Sequence, residues 1–156
     1  MNIEFDGPVS SANATLIRQV LEALIQRIVA RDGDLDLSAL DRVVVADDLA
    51  AAEARLGVTP AAGEHLSRIV DNSPGFALLV NGIKLWSILE GDSAEIARLI
   101  HHLHKECWRL HDAARPAATA EAGTPLARAL APIVAAMWQE YRINRRTAWS
   151  LPADSD

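Results

Sequence analysis

Between Ala94 and Ala114 apolar residues recur every three or four positions, at Ile96, Leu99, Ile100, Leu103, Cys107, Leu110 and Ala114. On a helix these make one continuous stripe, broad enough that it has to be buried against other elements. Ser93 precedes the stretch as a helix cap, and Arg115-Pro116 ends it. Asn13 to Arg31 repeats the pattern with Leu16, Ile17, Val20, Leu21, Leu24, Ile25 and Ile28, and closes on Asp32-Gly33-Asp34. A chain of 156 residues that is 50% hydrophobic can bury such faces in one domain without disulfides or a structural metal. The expected organisation is a single domain over residues 1–149 and a disordered tail over 150–156.

Short elements lie between the two helices. Arg42-Val43-Val44-Val45-Ala46 has the β-branched centre of a buried strand, and Asp47 and Asp48 can cap a helix running to Leu56, stopped by Gly57. Thr59 to Gly63 reads as a loop, and Asn72-Ser73-Pro74-Gly75 as a strong turn. Two strands, Phe76–Val80 and Ile83–Leu89, are expected to form a hairpin about Asn81-Gly82, a dipeptide suited to a two-residue turn. Ala117 to Gly123 is small and polar, a linker composition. Thr124 to Ala148 is helical in spacing, with a kink or a helix start expected near Pro132.

The formal charge of -6 and pI of about 5.3 supply no field that would gather nucleic acid or an anionic membrane. Cys107 is the only cysteine, which fits a reducing, cytoplasmic setting. Met1 to Pro8 lacks a signal-peptide pattern, and no segment approaches ~20 uninterrupted apolar residues.

Four of the five histidines fall in His101-His102-Leu103-His104-Lys105-Glu106-Cys107-Trp108-Arg109-Leu110-His111-Asp112. A helical zinc site needs imidazoles on one face, best four apart, with a third ligand from elsewhere. No two of these histidines are four apart, although His101, His104 and His111 share a stripe and form an alternative ligand set.

The register of Glu106 points elsewhere. Lys105-Glu106-Cys107-Trp108-Arg109-Leu110-His111-Asp112 resembles the His-Glu-x-x-His-x-His-Asp segment of small gluzincin-type metallopeptidases, the minimal zincin domains often found in phages and mobile-element regulators. Val43 to Asp48 resembles the family's strand-to-helix segment, and Trp138-Gln139-Glu140-Tyr141 resembles its closing element, whose glutamate is the third zinc ligand. The resemblance implies an α+β zincin-like domain: a small antiparallel, hairpin-containing sheet packed on long helices, with a motif helix and a C-terminal glutamate helix. It assigns Glu106 to the vestigial catalytic glutamate, Lys105, Arg109 and Glu140 to the former metal positions, and His111, Asp112 and Tyr141 to supporting roles.

The two defining imidazoles are replaced by an ammonium and a guanidinium, which offer no lone pair and repel a dication. No metal is therefore expected, and without one Glu106 has no acidified water to deprotonate. The resulting expectation is a pseudoenzyme that binds a protein or peptide. Two alternatives stand beside it: an active zinc metallopeptidase with relocated histidine ligands, and a helical interaction module unrelated to peptidases. Lys105 and Arg109, four apart, share a helix face; the resemblance implies that this face meets Glu140, and a solvated face carrying ordinary surface charges is the alternative. Trp86, Trp108, Trp138 and Trp149 read as core or interface anchors, and Cys107 as a buried, unreactive thiol.

Overall fold

The computed structural model describes residues 1–63, 65–115 and 124–152. A strand β1 (Asn2–Asp6) leads through a short helix α1 (Pro8–Ala12) into the long α2 (Ala14–Arg31). There follow β2 (Leu40–Ala46), α3 (Leu49–Arg55), β3 (Ser67–Asn72), β4 (Gly75–Asn81), α4 (Gly82–Leu89), α5 (Ser93–Ala113) and α6 (Pro125–Thr147), closed by a 3-10 turn at Ala148–Ser150. The result is an α+β domain with a four-stranded sheet in the order β1-β2-β4-β3. β1 and β4 both run parallel to β2, and β3 is antiparallel to β4. The sheet is thus mixed, where an antiparallel one was expected.

Side chains alternate across a strand, and this divides the core. Val43, Val45, Leu78 and Val80 face a large cluster with Ile17, Leu21 and Ile28 of α2, Leu85 of α4 and Leu99, Leu103 and Trp108 of α5. Val44, Ala46, Ala77 and Leu79 face a smaller cluster that Ala52 of α3 completes. The inner strands read as unbroken apolar runs because both of their faces are covered.

The hairpin expected over 76–89 is corrected. The chain turns earlier, at Asn72–Gly75, and pairs β3 with β4. Gly82–Leu89 is helical because the Asn81 side chain accepts a hydrogen bond from the Lys84 N–H at 2.9 Å, capping α4. Both edges of β4 are already taken, by β2 and β3, so no third strand can pair there. A short apolar run such as 83–89 fits helix and strand alike, and the cap decides between them.

Of the two aspartates expected to cap α3, only Asp48 does so, accepting from the Ala51 N–H at 3.0 Å. Asp47 turns to α1 and accepts from the N–H groups of Val9 and Ser10 at 2.7 and 3.0 Å. The close approach requires glycine at position 7, where φ is +110° and a Cβ would stand 2.4 Å from the Asp47 carboxylate. Asp92, one residue ahead of the expected Ser93, caps α5 through the Glu95 N–H. α6 begins at Pro125 and continues through Pro132. The expected linker at 117–123 lies outside the described residues. So do residues 153–156 of the expected tail, whereas Ser150 at its head is buried. Among the described residues no helix is long and apolar enough to cross a membrane.

Candidate functional site

α5 carries most of the chemistry because two of its faces are polar and point at different neighbours. On one, Lys105 and Arg109 meet α6. Lys105 Nζ donates to Glu140 Oε1 at 2.6 Å, and an Arg109 N–H donates to Glu140 Oε2 at 3.1 Å. The other arm of Arg109 donates to Glu106, three residues back on the same helix. The four residues assigned to the former catalytic and metal positions therefore form one connected cluster of two cations and two carboxylates.

Their surroundings differ. Glu106 is buried, and burial pushes its carboxyl above the usual range against the pull of Arg109. The Glu140 side chain is 43% exposed, and the hydrogen bond from Lys105, with Arg109 next, holds its carboxyl below the usual range. Pairs this exposed contribute about 0–1 kcal/mol each, so the Glu140 contacts orient side chains more than they stabilise the fold. Arg109 at Glu106 is different, since removing it leaves a buried carboxylate without its counter-charge.

Glu106, Arg109 and Glu140 of this cluster line the floor of a cleft of about 600 Å³. Ser67, Ile69 and Asp71 of β3 line one wall, and Ala136, Gln139 and Ile143 of α6 the other. β3 is an edge strand. Asn81 N–H donates to the Leu66 carbonyl directly opposite, at 2.8 Å, and antiparallel pairs alternate between bonded and unbonded. By that alternation Ser67, Ile69 and Asp71 turn their backbone N–H and C=O groups away from β4, toward the open edge. These edge residues were not singled out from sequence, because Ser67–Asn72 carries no strong strand pattern.

The histidines go elsewhere. His104, fully buried, donates through Nε2 to Asp32 Oδ2 at 2.6 Å, and its Nδ1 lies 2.8 Å from Ser150 Oγ. His101 Nδ1 is 2.9 Å from the same hydroxyl, which itself donates to the Thr147 carbonyl. His111 Nδ1 accepts from the Asp36 N–H, and its Nε2 is 3.1 Å from Arg115. The alternative ligand set His101, His104 and His111 is thus divided between two places, and Glu140 contacts none of them. Among the described residues no group of three or more His, Cys, Asp or Glu is arranged to hold a metal ion.

Asp32 gathers three donors: His104 and the indole N–H groups of Trp108 at 2.7 Å and Trp149 at 2.8 Å. Burial opposes its charge, and these hydrogen bonds outweigh burial and hold the carboxyl below its usual range. Ser150, His104 and Asp32 have the composition of a nucleophilic triad, but the buried Oγ is already engaged with His101, His104 and Thr147. The arrangement is a latch tying the end of α6 to α2 and α5. Its one sequence signal is that His104 and Trp108, four apart on α5, must share a face.

Of the supporting residues, Asp112 pairs with Arg142 and Arg146 of α6 at 3.2 and 3.5 Å. Tyr141 is half-exposed and stacks on Trp138 at a centroid distance of 5.3 Å. Trp86 packs against the core, and Cys107 is buried, its thiol pushed up to about 12.

His102, beside the motif, is 2.8 Å from Ser67 Oγ through Nε2. Burial, and next the charges of Arg109 and Lys105, bring it down to about 4. Its neutral form is therefore favoured by folding: the stability is fully present above the unfolded value near 6.5 and is lost as pH falls toward 4. Urea midpoints measured from pH 7 to pH 4 should decline with uptake of protons on unfolding. His101 is lowered as well, chiefly by burial, so His102→Gln should reduce that slope by about one proton without abolishing it, and an unchanged slope would assign the acid sensitivity to another group.

Comparison with protein-family models, with curated proteins and with solved structures returns no match for this chain.

Proposed function

We propose that this chain is a metal-free relative of the small zincin-type peptidases, and that it binds an extended segment of another protein in the cleft without cleaving it. The observation that carries the reading is the convergence of Lys105 and Arg109 on Glu140 beside the buried Glu106. Those are the positions that the resemblance assigns to the metal ligands and the catalytic glutamate, and two of them carry groups that cannot ligate a cation. A cation pair then occupies the place of a dication, and neither carboxylate faces an acidified water.

The edge strand supports the binding half of the proposal. A peptide laid along β3 can take up the outward N–H and C=O groups of Ser67, Ile69 and Asp71 as an added strand. Its alternate side chains would meet the cleft floor. Main-chain hydrogen bonds supply affinity in this mode, and pockets for alternate side chains supply selectivity.

The test uses peptides selected from a random displayed library on protein purified without chelator, with the metal content measured on the same preparation. Ile69→Pro removes one outward donor while sparing the β3–β4 ladder. Selected peptides are expected to lose at least about tenfold in affinity to this variant, which is 1.4 kcal/mol or more. Binding that is indifferent to Ile69→Pro, or stoichiometric zinc held by Glu140 and a histidine, overturns the proposal.

A further inference from the structure

α6 presents three faces. Gln139, Glu140 and Ile143 turn toward the cleft and α5, and Arg142 and Arg146 turn toward Asp112. The third face is apolar: Leu130, Ile133, Val134, Met137, Trp138 and Tyr141 are between 45% and 69% exposed. Their spacing of three and four residues makes one stripe down the outer side of the helix. Every residue from Pro125 to Trp138 whose burial is described is exposed, so nearly four turns of helix are only lightly covered by the rest of the described residues. A helix of that length is marginal in water by itself, and Pro132 removes one of its backbone hydrogen bonds. Burial of the stripe against a partner would supply the missing stabilisation.

We propose that the partner is a second copy of this chain, with the two α6 helices packed antiparallel about a two-fold axis near Ile133 and Val134. The area favours this occupant. With Leu126, at 68% exposure, seven large apolar side chains lie open along one face, an exposed area of the order of the ~800 Å² per partner that a stable specific interface buries. It is also self-complementary in length, since an antiparallel pair centred there sets Leu126 against Tyr141 of the other copy and Leu130 against Trp138. Charge selects the direction: Arg145 lies beside the stripe over the Tyr141 ring, and the antiparallel pair holds the Arg145 groups of the two copies at opposite ends, whereas a parallel pair would bring them together. A two-fold pairing of like surfaces is also the commonest form of closed assembly. This proposal rests on the outer face of α6 and is independent of what the cleft binds.

Sedimentation velocity of the full chain from about 1 to 100 µM tests it. The wild type should sediment as a dimer with Kd below about 10 µM, or −7 kcal/mol. Val134→Glu/Met137→Glu should be monomeric across the range while keeping the near-UV circular dichroism of the wild-type core. A wild type that is monomeric at 100 µM overturns the proposal, as does a dimer that the double substitution leaves intact. Should the double variant not fold, cross-linking decides. Val134→Cys is expected to form a disulfide across the axis on oxidation, with the buried Cys107 silent. Leu126→Cys should not, because the two positions would lie about 22 Å apart along antiparallel helices. Cross-linking at Leu126 and none at Val134 overturns the antiparallel arrangement.

Discussion

Substituting Lys105→His together with Arg109→His is expected to turn the cleft into a zinc site of about one ion per chain. Positions 105 and 109 are one helical turn apart on α5, the separation at which two imidazoles grip a single ion. Glu140 already directs one carboxylate oxygen toward each position. Three protein ligands with an open fourth position suffice for zinc. The exposed pairs at Glu140 are worth little, so removing them should cost about 1 kcal/mol or less. Losing Arg109 leaves Glu106 buried without its counter-charge, and its carboxyl should move further up. The metal-free double variant is therefore expected to be somewhat less stable than the wild type, and zinc in hundredfold excess over Kd should stabilise it by about 2.7 kcal/mol. Elemental analysis after zinc loading and dialysis, with a melting curve in zinc and in chelator, reads both effects. A folded double variant that holds no zinc and melts identically in the two conditions would end the case for a lost metal centre.

The second large effect concerns the latch. Asp32→Ala should destabilise the domain by about 3–5 kcal/mol, a large part of the roughly 5–15 kcal/mol that holds most domains together. It leaves the indole N–H groups of Trp108 and Trp149 and one nitrogen of His104 without an acceptor, and each buried orphan costs about 1–3 kcal/mol. Trp149 should come loose first, since besides Asp32 it has the guanidinium of Arg31 at 4.2 Å and the ring of His104 at 4.6 Å. Chemical denaturation followed by tryptophan fluorescence checks the loss. Asp32→Asn should fall between, because one amide oxygen can serve some of the donors while its NH₂ opposes the rest. A cost below about 1 kcal/mol for Asp32→Ala would show the three hydrogen bonds to be replaceable by solvent.

The latch and the cluster share α5, and this explains the crowding of polar residues in a helix whose apolar stripe is otherwise continuous. The histidines that look like a metal site hold the C-terminal segment, and of the basic pair that looks like ordinary surface charge Arg109 lines the cleft while Lys105 holds Glu140. The shared face of Lys105 and Arg109 was accessible from the four-residue spacing, whereas its meeting with Glu140 was only implied by the resemblance. The partners of His104 were not, because Asp32 lies 72 residues away in the chain and Ser150 46, and nothing local marks either as an acceptor.

The long helices α2, α5 and α6, the strand at Val43–Ala46 and the capping role of Asp48 were determined by the sequence itself. Each depends on a repeat or a cap within a few residues, and a buried stripe leaves the same periodic trace whatever it packs against. Only the tertiary structure decided that Gly82–Leu89 is a helix, that β1 and β3 complete the sheet and that β3 is left as an open edge. A mostly apolar run of seven residues such as 83–89 satisfies strand and helix equally, and which one forms depends on a cap and on whether a strand edge is free to accept it. The same holds for the site: chain spacing puts Lys105 and Arg109 on one face, but the meeting of that face with Glu140 is a matter of how α6 packs on α5.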